Sequence, residues 1–419
     1  MKNLISLSWK NIWRNKVRSS VIITAIAIGL FSGTFMFSFM NGWILGTIDS
    51  DIRTQYSHIQ IHNSDFLANN DISAYFFADD VRRGVLNTPG NSEPETGRMP
   101  YAPTIAFRLN LNGMLASSHN ALGITAKAVF PDEEMLVTDV WKHIADTMGG
   151  FFTDDIRMPI VISSRTAEKL RVRLRSRIVF TFQDMNGDIQ NLAFRVVGIY
   201  HTTNAIFDQA TAFVRYTDIF PYTALPENAV HEAALLFPSI EEANQAFPVL
   251  KEKFPDKTVR LWSDLNPALA MYFSYTEFMG LIILGIFLFA LSFGIINTML
   301  MAVLERTHEL GMLRAIGMSK RNVFSMIMLE TVFLTFVGSI IGIILGIAVI
   351  LPTMETGINL SFMMEDQFED FGFSSIIYPI FSLAMLMQIV GLVLLAGFFS
   401  AIYPARKALK LKPLDAMRS

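Results

Sequence analysis

Charged side chains that could do chemistry are concentrated between Glu305 and Glu330, in the stretch ERTHELGMLRAIGMSKRNVFSMIMLE, which separates two long apolar runs. Within it, GMLRAIGMSK from Gly311 to Lys320 has two glycines and a lysine, as phosphate-binding loops do. However, five residues separate these glycines instead of four, and no Gly-Lys-Ser/Thr sequence closes the loop. We therefore predict that this chain does not itself bind a nucleotide.

The sequence also contains no recognisable pattern for metal binding or catalysis. The sequence has no cysteine, and its 7 histidines are scattered. His58 and His62 lie on one face of an alternating, strand-like segment, where a structural or surface role is favoured over metal ligation. No HExxH, GxSxG or EF-hand pattern occurs. We predict no catalytic, metal-binding or cofactor-binding residues and no enzyme activity in this chain alone.

The remaining ionisable groups point to no other chemistry. A net charge of -3 gives no electrostatic footprint for nucleic acid. Glu330 stands near one end of an apolar run, where a hydrated interfacial position is favoured over a proton relay. In the basic run Arg165 to Arg177, alternate arginines would share one face of an extended chain, and a solvated face is favoured over a contact with anionic headgroups or a partner.

Four apolar runs of about 20 residues or more predict the elements that position these groups. The predicted fold is a membrane protein with four transmembrane α-helices and a large extracytoplasmic α+β domain, of two subdomains, inserted between helices 1 and 2. The predicted segments are an interfacial helix (1–18), a first span (19–44), the α+β domain (45–271), a second span (272–304), a polar segment (305–321), a third span (322–352), a short outer loop (353–375), a fourth span (376–404) and a tail (405–419).

Positive charges predict the orientation of these spans. Lysines and arginines precede the first span, lie between the second and third, and follow the fourth, whereas the acidic stretch Glu355 to Asp370 has neither. Because positively charged loops stay in the cytoplasm, both termini and the polar segment are predicted to be cytoplasmic, with the α+β domain on the outer side.

Glycines at a spacing of four predict close packing between spans. Gly29 and Gly33 share a face of the first span, and Gly338, Gly342 and Gly346 share a face of the third. Small residues at this spacing form a groove that lets a second helix approach closely.

The polar segment also resembles a known family. Residues 305–317, ERTHELGMLRAIG, are similar to the ERxxEIGxxRAxG signature of MacB/FtsX/LolC-type, or mechanotransmission, ABC transporter permeases, with Leu310 in place of isoleucine. Pro404-Ala405-Arg406 and the later PLDAMR resemble the end of such permeases. The order of one span, a large outer domain and three spans is similar too, and Met40-Asn41-Gly42 is similar to the end of the first span of lipoprotein-releasing members.

This resemblance implies a permease in the bacterial inner membrane, with its large domain in the periplasm. Such a permease pairs with a second copy or a paralogue and docks separate ABC ATPase subunits, which bind ATP and Mg. The polar segment would be a coupling helix, and membrane lipids, lipoproteins or a periplasmic protein would be further partners. The residues implied in ATPase coupling are Glu305, Arg306, Glu309 and Arg314, which would face the ATPase, Leu310, Leu313 and Ile316, which would pack against it or the membrane, and Gly311 or Gly317, which would form a mobile joint.

Several functions fit this resemblance. Lipoprotein release from the inner membrane is the leading hypothesis, and export of peptides, drugs or other amphiphiles is the alternative. A regulator of cell-wall hydrolases similar to FtsX and a non-transporting membrane sensor are further hypotheses.

Overall fold

The protein consists of two compact units. The computed structural model describes residues 2–86, 102–152, 156–362 and 376–409. The helical unit comprises Met1–Leu45, Tyr272–Asn359 and Ile376–Ser419, and the sheet unit comprises Gly46–Met271 and Leu360–Ser375.

The helices and strands follow in chain order. The α-helices are α1 Lys2–Arg14, α2 Lys16–Asp51, α3 Phe66–Asn69, α4 Ala78–Leu86, α5 Pro131–Val137, α6 Ser164–Leu170, α7 Ala205–Ala210, α8 Tyr216–Ile219, α9 Ile240–Lys253, α10 Trp262–Leu265, α11 Pro267–Glu305, α12 Thr307–Ala315, α13 Lys320–Thr356 and α14 Leu383–Leu409. The strands are β1 Ile59–Asn63, β2 Phe76–Phe77, β3 Thr104–Ala116, β4 Ala121–Val129, β5 Ile144–Gly149, β6 Pro159–Ser163, β7 Arg177–Gln183, β8 Ile189–Tyr200, β9 Thr211–Arg215, β10 Ala229–Val230, β11 Glu232–Leu236, β12 Lys257–Leu261, β13 Ile358–Asn359 and β14 Ile376–Ile377.

Four helices of the described chain are long and apolar enough to cross a membrane: α2 with the π-helical turn that extends it to Tyr56, α11, α13 and α14. Their mean hydropathy ranges from 2.0 to 2.7. The β-rich region lies between the first and second of them, as the sequence predicts. The predicted fold class is therefore confirmed.

The fourth of these helices begins later than the sequence indicates. The predicted span starts at residue 376, but Ile376–Ile377 form a strand that pairs with Ile358–Asn359, and α14 starts at Leu383. The strand pairing keeps Ile376 and Ile377 extended, and Pro379 disfavours helical conformation in Tyr378 before it. At its other end, α14 continues through Leu409 into the predicted tail, whose residues 410–419 lie outside the described residues.

The chain before α14 packs directly on α2. The amide of Ile380 donates to the carbonyl oxygen of Ser38 at 3.0 Å. A Cβ added at Gly42 would lie 2.1 Å from the carbonyl oxygen of Tyr378. Glycine at position 42 is therefore what allows this backbone to come so close.

Two glycines of α13 make a similarly close approach to α2. A Cβ at Gly342 would lie 2.8 Å from the carbonyl oxygen of Ala27, and one at Gly338 would lie 2.8 Å from Cβ of Ile26. The other predicted packing glycines are less crowded by backbone. A Cβ at Gly346 would be 3.8 Å from Thr34, and one at Gly33 would be 3.9 Å from its nearest neighbours. One at Gly29 would meet side chains alone, the nearest being the Phe287 ring at 2.9 Å.

The sheet unit is built on a ten-stranded, mostly antiparallel sheet. Its order is β12-β1-β11-β3-β4-β9-β6-β8-β5, and β7 pairs with both β3 and β8. One hydrophobic cluster runs from β1 through β6 and β8 to β12, and includes Ile59, Phe107, Phe180, Val196 and Val259. The two predicted subdomains are therefore not separate sheets, because the main sheet is continuous.

A buried group of charges lies on this sheet. Arg108 donates from Nε and Nη2 to Glu134 at 2.9 and 2.8 Å, and its Nη1 reaches Glu232 at 2.5 Å. Burial opposes the charge of Glu232, but Lys127 and Arg108 outweigh it and lower its pKa to about 2. The charges of Arg108 and Lys127 compensate those of Glu134 and Glu232, so the removal of any one of them would leave an unpaired buried charge.

The glycine contacts predict opposite results for two equivalent substitutions in α13. Gly342→Ala forces Cβ against the α2 backbone and is expected to cost roughly 1–3 kcal/mol of stability. Gly346→Ala, four residues along the same face, adds a methyl group at ordinary contact distance and is expected to be neutral or slightly stabilising. Thermal unfolding of both purified variants in detergent measures the difference, and equal melting temperatures would contradict the assigned approach.

Candidate functional site

The polar segment between α11 and α13 folds as a short helix with turns at both ends. The chain leaves helical geometry at Arg306 (φ -106°, ψ 22°), and α12 follows from Thr307 to Ala315. Gly317 has φ +105°, which favours glycine, and Ser319 then caps α13 by accepting from the amide of Asn322. The helix is thus shorter than the predicted segment 305–321.

The two glycines proposed as joints have different environments. Gly311 is buried within α12, and Leu310 beside it belongs to the core of the helical unit. Gly317 is exposed and lies in the turn between α12 and α13. Of the two, only Gly317 has the backbone conformation of a turn.

Arg306 connects this turn to two carboxylates. Its Nε donates to Oε2 of Glu309 at 2.9 Å, and its Nη1 lies 3.4 Å from Oε1 of Glu330 in α13. Glu309 also pairs with Arg14 at the end of α1. The hydrogen bond from Arg306, followed by that from Arg14, lowers the pKa of Glu309, so this carboxylate stays charged under ordinary conditions.

Glu330 is buried, which corrects the prediction of a hydrated position. It is 4% exposed, and Nδ2 of Asn11 donates to its Oε1 at 2.7 Å. Helix α1 covers it by packing along α13, where Ser8 donates to the carbonyl oxygen of Met326 and Trp9 meets Phe333 edge-on at 5.4 Å. A charge buried in this way requires partners, and Arg306 and Asn11 supply them.

The five residues Asn11, Arg14, Arg306, Glu309 and Glu330 therefore form one polar network across α1, the turn and α13, which we call the coupling network. Asn11 and Arg14 were not predicted as site residues. Their spacing of three places them on one face of α1, but their partners are some 300 residues away in sequence. No local signal links such distant positions.

The outer side of α12 is exposed and partly apolar. Ile316 is 81% exposed at its end, Met312 is 44% exposed, and Glu305 is exposed as well. Leu313 packs partly against the core, and Arg314 is half-buried. Of the three apolar residues implied in docking, Leu310 and Leu313 thus hold the helix in place, while Ile316 remains available for another surface.

His58 and His62, the two histidines that alternate in the strand-like segment, make structural contacts. Nε2 of His62 lies 2.9 Å from Oε1 of Gln60 and its Nδ1 lies 2.9 Å from the carbonyl oxygen of His231, while His58 accepts from the amide of Phe237. Burial lowers the pKa of His58 to about 4. Across the part of the chain that the structure describes, no group of three or more His, Asp or Glu side chains is placed to hold a metal.

The polar segment lies within a region of the chain that matches a known protein family. Residues 281–413 match the family described as FtsX-like permease C-terminal. The macrolide export ATP-binding/permease protein MacB of Chlorobaculum tepidum is 33% identical over 125 residues, which are 30% of this chain and 16% of that protein. The chain thus matches about one sixth of the length of that relative.

Another relative aligns over most of the chain. The lipoprotein-releasing system transmembrane protein LolC of Neisseria meningitidis is 24% identical over 344 residues, covering 78% of this chain and 80% of that protein. Among solved structures, the periplasmic region of MacB from Actinobacillus actinomycetemcomitans covers 53% of this chain and 97% of its own, at 10% identity and a TM-score of 0.33.

The coupling network predicts a characteristic pattern of variant stability. Arg306→Met leaves the buried Glu330 without its charged partner and is expected to cost roughly 1–3 kcal/mol. The double variant Arg306→Met/Glu330→Met removes both charges and should recover a large part of that loss. Thermal unfolding, with hydrogen exchange of residues 305–318, measures both effects.

The matched control is Arg321→Met, which removes an exposed arginine at the start of α13. It should change stability by less than 0.5 kcal/mol or so, as surface substitutions usually do. A loss equal to that of Arg306→Met, or a double variant no better than the single one, would contradict the network.

Proposed function

We propose that this chain, which carries an FtsX-like permease domain and is related to MacB and LolC permeases, is the membrane subunit of an ABC transporter. In this proposal a separate ATPase binds ATP and Mg, docks on α12, and moves it during ATP hydrolysis. The observation that carries the proposal is the construction of α12: its inner side is fixed by Leu310 and the coupling network, and its outer side exposes Ile316. A helix held on one side and open on the other suits the transfer of force between two proteins.

The coupling network supplies the first part of the mechanical path. Because Arg306 pairs with Glu330 and Glu309 pairs with Arg14, a displacement of α12 pulls on both α13 and α1. Gly338 and Gly342 then bring α13 into backbone contact with α2. Tightly packed helices move together or shift between discrete arrangements, so the displacement reaches α2.

Two helices supply the second part of the path. Helix α2 has 36 residues and α11 has 39, and they include Gly46 and Met271, the two ends of the main segment of the sheet unit. At about 1.5 Å per residue both exceed the roughly 30 Å of a bilayer core. They could carry motion across the membrane to the sheet unit without a pore for substrate. In this proposal the membrane is a bacterial inner membrane, the sheet unit lies in the periplasm and both termini lie in the cytoplasm.

Lipoprotein release is the substrate hypothesis that we favour. The supporting observation is that the LolC relative aligns over 78% of this chain and 80% of its own length, whereas the MacB relative aligns over 30% and 16%. Export of peptides, drugs or other amphiphiles is the second candidate, because the MacB relative is named for macrolide export. Pairing with a second copy or a paralogue belongs to both proposals.

The docking proposal predicts that Ile316→Asp disrupts ATPase recruitment. A carboxylate at this exposed apolar position is expected to weaken capture of the proposed ATPase subunit by roughly tenfold or more. Stability should not change, because Ile316 is 81% exposed. Co-purification of the two proteins and stimulated ATPase activity are the readouts.

Ile206→Asp is the control for this experiment. Ile206 is 73% exposed in α7 of the sheet unit, so the same change there should leave recruitment intact. Normal recruitment by Ile316→Asp would remove the role assigned to the exposed side of α12, and the absence of any interacting ATPase would favour a non-transporting sensor or regulator.

The substrate proposal predicts a bound acylated protein. The complex should be purified from native membranes in mild detergent and analysed by mass spectrometry of intact proteins and lipids. Under lipoprotein release we expect an acylated protein that leaves on ATP addition. An empty complex whose ATPase responds only to small amphiphiles would instead support export.

A further inference from the structure

A polar cavity lies beside the coupling network, at the end of the helical unit that the positive charges predict to be cytoplasmic. It has a volume of about 490 Å³ and lies among the end of α1, the start of α2 and the turn before α12. Its lining includes four cationic side chains and two carboxylates: Arg14, Lys16, Arg18 and Arg306, with Glu305 and Glu309.

The charges of this cavity are only partly compensated. Glu309 is shared between Arg14 and Arg306, and Arg306 also reaches Glu330 behind the cavity. Counting Glu330, four cations face three carboxylates, which leaves one positive charge in excess. The cations outside the ion pairs of the coupling network are Lys16 and Arg18, so the excess lies on the α2 side of the cavity.

Arg18 is half-buried at the edge of this cavity, and Lys16 beside it is exposed. Ammonium and guanidinium groups both bind phosphate oxygens, and a guanidinium can donate several N–H groups at once. The cavity therefore suits an anion that brings several oxygens.

The surroundings of the cavity identify the kind of anion. Val17 beside it is 76% exposed and Val21, one turn further along α2, is 55% exposed. On α1, Trp13 is 47% exposed and Trp9 is 40% exposed. Apolar and tryptophan side chains left open next to lysines and arginines are typical of the headgroup level of a bilayer.

We infer that this cavity binds the phosphate of an anionic phospholipid, with Lys16 and Arg18 as its main ligands and the exposed residues of α1 and α2 against the acyl chains. Bound there, the lipid would neutralise the excess charge beside Glu309. The inference does not depend on ATPase docking or on the substrate.

Lipid retention tests this site directly. The full chain, with any ATPase that accompanies it, is reconstituted in nanodiscs of phosphatidylcholine and phosphatidylglycerol, re-extracted in neutral detergent, and its bound lipids are quantified by mass spectrometry. Wild type should be enriched in phosphatidylglycerol. Lys16→Gln/Arg18→Gln should lose that enrichment, by roughly fivefold for each cation removed.

Two matched variants separate the site from overall charge. Lys320→Gln/Arg321→Gln removes two exposed cations on the same predicted side of the membrane and should retain the lipid. Lys16→Arg/Arg18→Lys keeps both charges and should also retain it. Equal loss in the Lys320/Arg321 variant, or no loss in the Lys16/Arg18 glutamine variant, would overturn the inference.

Two measurements on the wild type remain informative if the glutamine variant fails to fold. Wild-type protein without phosphatidylglycerol enrichment would overturn the site. Displacement of the bound lipid by excess inorganic phosphate would show a free-phosphate site and overturn the lipid assignment, whereas retention in its presence supports the lipid.

Discussion

The ion pair between Arg306 and Glu330 determines how the polar segment behaves in this protein. Glu330 is 4% exposed, and an unpaired carboxylate in such a position carries a large desolvation cost. Any motion that pulled α12 away from α13 would separate the pair and incur this cost. The favourable motion is therefore one in which α12 and the start of α13 move together, as a force-transmitting element requires.

The same constraint explains why the segment combines opposite surfaces. Leu310 and Gly311 are buried where α12 meets the core, whereas Ile316 is exposed where the helix ends. A uniformly charged loop would be soluble but could not hold a fixed orientation, and a uniformly apolar one would enter the bilayer. The buried residues and the ion pairs of the coupling network give the segment a fixed position. The exposed end leaves one side open to a partner.

The sequence was sufficient for the membrane helices but not for the contacts between distant segments. Long apolar runs and clustered charges predict four helices, because length and hydropathy alone decide whether a helix can cross a bilayer. Burial of Glu330 could not be predicted in this way, because it depends on α1, 319 positions away from it at Asn11. Glycine spacing identified the correct face of α13, but only the structure distinguishes Gly342, against backbone, from Gly346, which is not crowded. Similarly, the hydropathy of residues 376–382 fits a span, and the strand pairing that delays α14 is a tertiary effect.

Helix α1 holds one side of the coupling network in a fixed position. Its inner face is held by Ile12 in the core and by the contact of Asn11 with Glu330, and its other side exposes Trp9 and Trp13. Exposed tryptophans hold a helix at the membrane interface, so α1 resists movement along the membrane normal. Because Arg14 at its end pairs with Glu309, a displacement of α12 acts against an element anchored in the membrane. In the proposed mechanism, a force applied to α12 would therefore act on α13 and its partner α2.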